Sequence, residues 1–159
     1  MDSTIYVKPE RIRQYVIDLF GHYHVNKTDA AMIADNLIDA EIRGVTTHGL
    51  TRIPLYTEKL ISGLCDTKAV PEIVKNYGAT ALIDAHDGLG QVAATKAMEL
   101  AIEKAEQFGV GYVGLRNGSH YGTAGYYAMM AEKRGMIGFS MTNSGAFVAP
   151  FGGVEKRLG

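Results

Sequence analysis

Two stretches of this chain place proton-exchanging side chains beside groups that bind anions. In residues 44–52, Gly44-Val45-Thr46-Thr47-His48-Gly49-Leu50-Thr51-Arg52, an imidazole stands four positions before a guanidinium. An imidazole exchanges a proton near physiological pH, and a guanidinium holds a carboxylate in a two-pronged fork. The plainer alternative is that Thr46 or Thr47 caps a helix, His48 is incidental and Arg52 is a surface charge. The second stretch is residues 110–125, VGYVGLRNGSHYGTAG. Its apolar run ends in a polar, glycine-rich turn carrying His120, and a helical pattern begins at about Thr123. Ligands bind at the carboxyl ends of strands in open α/β sheets, and free N–H groups at a helix start attract anions. His120 is therefore the first candidate catalytic residue; its alternative is a solvated connection.

Two further patterns carry less. His22-Tyr23-His24 has metal-ligand spacing but no third ligand nearby, so it reads as an inter-helix turn and no metal is expected. Gly88-Leu89-Gly90-Gln91-Val92-Ala93 has the form G-x-G-x-x-A after a strand, the shape of a dinucleotide fingerprint. Asp84, His86 and Asp87 oppose that reading, because carboxylates there would repel a pyrophosphate. Arg116 and Asn117 also stand where an acidic ribose ligand should close the next strand. The Rossmann reading is set aside.

The elements that must position these groups follow from periodicity and punctuation. Pro9 and Glu10 open a helix whose face is Ile12, Tyr15, Val16, Leu19 and Phe20, ending near Gly21. Asn26 or Thr28 caps a second helix reaching Arg43, with Ala30, Ile33, Ala34, Leu37, Ile38 and Glu41 on its stripe. Pro54 fits only the first turn of a third helix, which must start between Gly49 and Ile53 and ends at Gly63. His48 then lies just before that helix, with Arg52 about one turn inside it. Residues 73–77 and 80–84 read as a hairpin across Tyr77-Gly78-Ala79. A long helix follows over 88–108, with Lys96, Glu99, Glu103, Lys104 and Glu106 mostly facing outward. A helix over 123–133 packs Ala124, Ala128, Met129, Met130 and Ala131, and residues 136–142 read as the next strand. Asn143-Ser144-Gly145 would then lie on the same sheet edge as His120. The class is α/β: an N-terminal helical segment (1–70), then βαβαβ from Thr80 to Thr142 with parallel pairing expected (71–159).

At 159 residues and 47% hydrophobic content the chain can bury one core. A net charge of −1 gives no footprint for nucleic acid or an anionic membrane. One cysteine, Cys65, excludes an internal disulfide and suits a reducing compartment. No apolar run reaches spanning length, and residues 1–10 lack a signal-peptide layout, so the cytoplasm is expected.

Taken together, T-T-H-G-L-T-R-x-x-x-Y, G-x-G-Q, R-N-G-S-H-Y-G-x-A-G-Y-Y-A, G-M-I-G-F-S-M-T-N-S and P-F-G-G-x-E-x-x-L-G resemble the malate/L-lactate dehydrogenase type 2 family. The family also holds ureidoglycolate, sulfolactate and diketogulonate oxidoreductases and an imino-acid reductase. The resemblance runs from about Pro9 to Gly159. It implies an unusual dinucleotide-binding fold distinct from the Rossmann fold, NAD or NADP as cofactor, and hydride exchange with a 2-hydroxy or 2-oxo acid. It also implies a homodimer.

By resemblance, His48 matches a proton donor to the substrate carbonyl, and Thr47 stands where many members have a serine that orients it. Arg52 matches the arginine gripping the substrate carboxylate, and His120 matches a proton acceptor of ureidoglycolate-type members. His120, Tyr121, Gly122, Thr123 and Ala124 resemble the segment lining the nicotinamide cofactor, and Ser144 a further cofactor contact. Family chains are about twice this length and continue past Leu158-Gly159. The expectation is a fragment, or a chain completed by another, with weak cofactor binding at most. The alternative function is an inactive nucleotide-binding or dimerisation module.

Overall fold

The computed structural model describes residues 6–159, so the first half of the segment read for a signal peptide lies outside the described residues. Helix α1 (Pro9–His22) starts at a proline, whose missing N–H costs nothing in a first turn. Helix α2 (Lys27–Ile42) is capped by Asn26, whose side chain accepts from the Asp29 N–H at 3.0 Å. His22 closes α1, and Tyr23-His24 form the turn between the helices, with His24 in the left-handed region at φ 64°. Val16, Ile17 and Phe20 of α1 meet Ala30, Ile33, Ala34 and Leu37 of α2 in the main apolar cluster. Each large side chain so buried contributes roughly 1.5–3 kcal/mol. Arg13 and Asp35 pair across the hairpin at 2.6 Å. The cluster extends to Tyr56 and Cys65 and to Leu89 and Val92, joining the helical half to the sheet half.

Two single 3-10 turns, Thr46–His48 and Leu50–Arg52, lead into α3 (Ile53–Ile61), with Pro54 in its first turn. Arg52 is the residue flanking α3, not one turn inside it. Next come β1 (Glu72–Tyr77) and β2 (Thr80–Asp84), an antiparallel hairpin turning at Gly78. Helix α4 (Gly90–Phe108) then crosses to β3 (Tyr112–Arg116), which pairs parallel with β2. Helix α5 (Ala124–Glu132) follows.

The α/β class holds, with strand order β1-β2-β3 among the described residues. The expected strand over 136–142 does not form, so the βαβαβ unit is one strand short and the sheet is half parallel. That stretch alternates half-buried and exposed residues, but Ile137, Phe139 and Met141 are each more than three-quarters exposed. One side of the segment does pack, since a Cβ at Gly138 would stand 2.2 Å from Ala128 O of α5. Among the described residues no strand edge pairs with it, so the ladder that would make it a strand is missing. Lys104 is a second correction: it is buried, and its ammonium donates to Asn76 Oδ1 at 2.6 Å and Gly78 O at 2.7 Å. Its aliphatic stem packs while its head fastens the hairpin turn to α4.

The carboxyl ends of β2 and β3 are buttoned together by Asp84. Its carboxylate accepts from the His86 N–H (3.0 Å), Asn117 Nδ2 (3.0 Å) and Arg116 Nε (2.8 Å). The His86 N–H, then Asn117, then Arg116 hold its pKa down to about 2 against burial. The Asp87 N–H also donates to Asn117 O at 2.8 Å, and His86, Asp87 and Asn117 all have positive φ. A carboxylate with a depressed folded pKa stabilises above its unfolded value and loses that contribution as pH falls through the folded one. Stability should therefore drop as pH falls from about 4 to about 2. Asp84→Asn should melt lower at neutral pH and show a flatter decline over that window, read by circular dichroism at stepped pH.

Candidate active site

The turns after α2 bring the first predicted pair together. The Leu50 N–H donates to Glu41 Oε1 at 2.7 Å, and the Thr51 hydroxyl to Thr46 O at 2.6 Å, which fixes the double 3-10 turn. Thr47 Oγ1 lies 3.1 Å from His48 Nδ1. Arg52 Nε donates to Thr47 O at 2.5 Å. That bond commits one edge of the guanidinium, and its two terminal nitrogens have no protein partner among the described residues. Burial, then the charge of Arg52, lowers the pKa of His48.

The loop after β3 brings His120 onto this pair. The two imidazoles stack with centroids 5.7 Å apart and 27° between planes. Tyr56, one turn along α3 from Arg52, places its hydroxyl 2.8 Å from His120 Nδ1. The Gly122 N–H donates to the same nitrogen at 3.2 Å. Lys59 Nζ donates to Ser119 Oγ at 3.1 Å beside it. Burial first, then the fields of Arg52, His48 and Lys59, lower the His120 pKa to about 4. Burial raises that of Tyr56. The centre is thus a partly buried cationic site with two imidazoles, suited to an anionic ligand that exchanges a proton.

What holds the loop is backbone on backbone. A Cβ at Gly90 would stand 2.2 Å from Ser119 O and 2.5 Å from His120 O, so the start of α4 touches the loop directly. At Gly88 it would stand 2.8 Å from Ala85 O and 2.9 Å from Ala69 Cβ. The open sides of both glycines face the protein's own chain, in keeping with setting the fingerprint aside. On the other flank, Tyr127 donates to Tyr121 O, and Asn36 Nδ2 donates to the Tyr127 hydroxyl at 3.4 Å. The Tyr121 and Tyr127 rings stack at 5.0 Å.

Tyr121, Gly122, Thr123 and Ala124 run from His120 into the N-terminus of α5. Thr123 stands at the cap position of that helix, and its hydroxyl is buried without a partner among the described residues. Ser144 is not brought to this group: its hydroxyl donates to Gly145 O at 2.8 Å, and it packs against Gly159. Because 136–142 is no strand, Ser144 does not lie at a strand end.

Sequence reasoning passed over Tyr56, Lys59, Ser119, Asn36 and Tyr127 as parts of the site. A signal existed for two of them. Tyr56 falls four residues and Lys59 seven after Arg52, one face of α3. Asn36 gave no such signal: it lies off the stripe read for α2, and only the structure shows it fully buried.

A profile of the malate/L-lactate dehydrogenase family matches residues 7–159, and the chain belongs to that family. The malate dehydrogenase of Pyrococcus horikoshii is 43% identical over 158 residues, which cover 99% of this chain and 44% of that protein. Its solved structure superposes with a TM-score of 0.94 at 43% identity, over 100% of this chain and 46% of the other. The L-sulfolactate dehydrogenase of Methanocaldococcus jannaschii is 46% identical over 153 residues, 96% of this chain and 44% of that protein. The ureidoglycolate dehydrogenase (NAD(+)) of Escherichia coli is 32% identical over 153 residues, again 96% and 44%. The chain spans less than half the length of these relatives.

Proposed function

We propose that this protein exchanges hydride between a nicotinamide cofactor, NAD or NADP, and carbon 2 of a small acid, interconverting a 2-hydroxy acid and a 2-oxo acid. The observation that carries the reading is the convergence of Arg52, with free terminal nitrogens, on two stacked imidazoles 5.7 Å apart. The names of the relatives, dehydrogenases of malate, sulfolactate and ureidoglycolate, support that substrate class. The cofactor fits the start of α5, where the orphaned Thr123 hydroxyl offers a donor and acceptor beside open helix N–H groups. Tyr121, Gly122, Thr123 and Ala124 would hold it. Ser144 keeps its proposed contact on the family motif alone. When bound, the cofactor supplies or accepts the hydride.

The chain's own residues do the rest. Arg52 grips the carboxylate and orients the 2-carbon. Thr47 holds His48 by Nδ1, leaving Nε2 for the substrate oxygen. On reduction the His48 imidazolium gives its proton to the oxygen as carbon 2 gains hydride, and ends neutral; on oxidation it takes the proton back. A carboxylate on Arg52 cancels part of the field that depresses His48, so binding raises the His48 pKa. Reduction should then slow as pH rises through that value, and oxidation should quicken.

His48→Gln should lower kcat about a hundredfold to ten-thousandfold with KM nearly unchanged. It should also remove that pH limb; steady-state kinetics across pH checks both.

The reading extends to a cytoplasmic homodimer, with residues 1–70 on the substrate side and 71–159 on the cofactor side. Cys65 as sole cysteine agrees with a reducing compartment. Exposed Ile137, Phe139 and Met141 are apolar surface that a partner would cover. Among the described residues no helix is long and apolar enough to cross a membrane. The test is oxidation of NADH and NADPH with oxaloacetate, pyruvate and sulfopyruvate. Turnover that requires the carboxylate supports the reading; equal turnover of a ketone lacking it would sink the role of Arg52.

A further inference from the structure

We propose that Tyr56 is a positioning residue that, with the Gly122 N–H, fixes His120 as a neutral ring protonated on Nε2. His48 is then the member of the imidazole pair that takes up charge. The use made of the pair rests on the hydride-transfer reading above, but the tautomer does not.

The argument starts from what each donor can do. A main-chain N–H only donates, and that of Gly122 reaches His120 Nδ1 at 3.2 Å. Nδ1 must therefore present its lone pair, which puts the single proton of a neutral ring on Nε2. The Tyr56 hydroxyl, 2.8 Å from the same nitrogen, then donates as well. Having given its hydrogen, that oxygen is free to accept. Gln91 Nε2, buried and without a partner among the described residues, lines the same small cavity of about 10 Å3 with Tyr56, Lys59, Ser119 and His120.

Charge points the same way. The groups around His120 are His48 from the first 3-10 turn, Arg52 ahead of α3, and Tyr56 and Lys59 from α3. The neighbouring residue of α4, Gln91, is neutral, and Cys65 at the cavity wall has a raised pKa. None of these is a carboxylate. Two imidazolium rings 5.7 Å apart beside a guanidinium and an ammonium would repel, so one ring stays neutral. The ring with a donor locked onto Nδ1 is that one. Its Nε2–H is a standing hydrogen-bond donor, so it can steady the substrate oxygen in both directions without exchanging a proton. The proton that balances the hydride passes between that oxygen and His48.

The experiment is a long-range 1H–15N correlation spectrum of the histidine rings across pH, on the full chain and on Tyr56→Phe, with His48→Gln for assignment. The expected wild-type result is His120 neutral, with its proton on Nε2, at pH values where free histidine is already charged. In Tyr56→Phe the His120 titration should rise toward the ordinary value, and the Nδ1 resonance should lose its hydrogen-bond shift. The kcat should fall about tenfold with KM within about twofold, the scale of one hydrogen bond. A wild-type His120 protonated on Nδ1, or a Tyr56→Phe spectrum unchanged in both respects, would overturn the proposal. The spectra need no substrate, so they decide the tautomer even where no acid is turned over.

Discussion

Arg52→Met should lower kcat/KM for a 2-oxo acid by about a hundredfold to ten-thousandfold. The range is two charge-assisted hydrogen bonds of roughly 1.5–3 kcal/mol each. Because Nε already donates to Thr47 O, the carboxylate must be taken end-on by the two terminal nitrogens. Arg52→Lys should recover only part of the loss, since an ammonium keeps the charge and loses the fork. The substitution has a second signature. Arg52 depresses both histidines, as the second cause after burial in each, so its removal should raise both titrations. Kinetics with a 2-oxo acid and with a ketone lacking the carboxylate separates the effects: gripping is lost only for the acid, while the pKa change is common to both.

Gly122→Ala should be the most damaging change in the loop, at about 2–5 kcal/mol. Gly122 has φ +83°, where an L side chain is strained, and an added Cβ would stand 1.8 Å from Asn36 Oδ1. Asn36 is fully buried and cannot swing into solvent. The loop would have to move, and with it the N–H that donates to His120. Adding Asn36→Ala should relieve the clash but not the backbone strain, leaving a partial recovery. Gly125→Ala, where nothing lies within 4 Å of the new Cβ, is the control and should be neutral or slightly stabilising in α5. Urea denaturation of the four proteins measures the set.

The local elements were legible because each has its own punctuation. Pro9, Asn26 and Pro54 bound helices as their backbone chemistry requires, and the turn at Gly78 separates two runs of strand residues. His48, Arg52 and His120 could be picked out by residue type and loop position, but each had a plainer reading beside it, as part of a capped turn, a surface charge or a solvated connection. Only the folded chain brings the three together. What was not legible depends on contacts far apart in the chain. Nothing local says that Tyr56 meets His120 across 64 residues, or that Asn36 reaches Tyr127 across 91. Lys104 looked solvent-facing because a charged residue on a helix usually is; only the hairpin turn lying over α4 turns it inward. The stretch 136–142 carries a sound strand pattern, but pattern alone cannot supply the neighbouring edge that a strand needs.

The most direct measurement follows the hydrogen itself. The protein is incubated with nicotinamide cofactor deuterated at the transferable position and a 2-oxo acid, and the product is read by mass spectrometry. The account predicts one deuterium on carbon 2 of the hydroxy acid, in an amount matching the cofactor oxidised, and its near-disappearance in Arg52→Met. Cofactor oxidised by the folded protein with no deuterium on carbon 2 would contradict it.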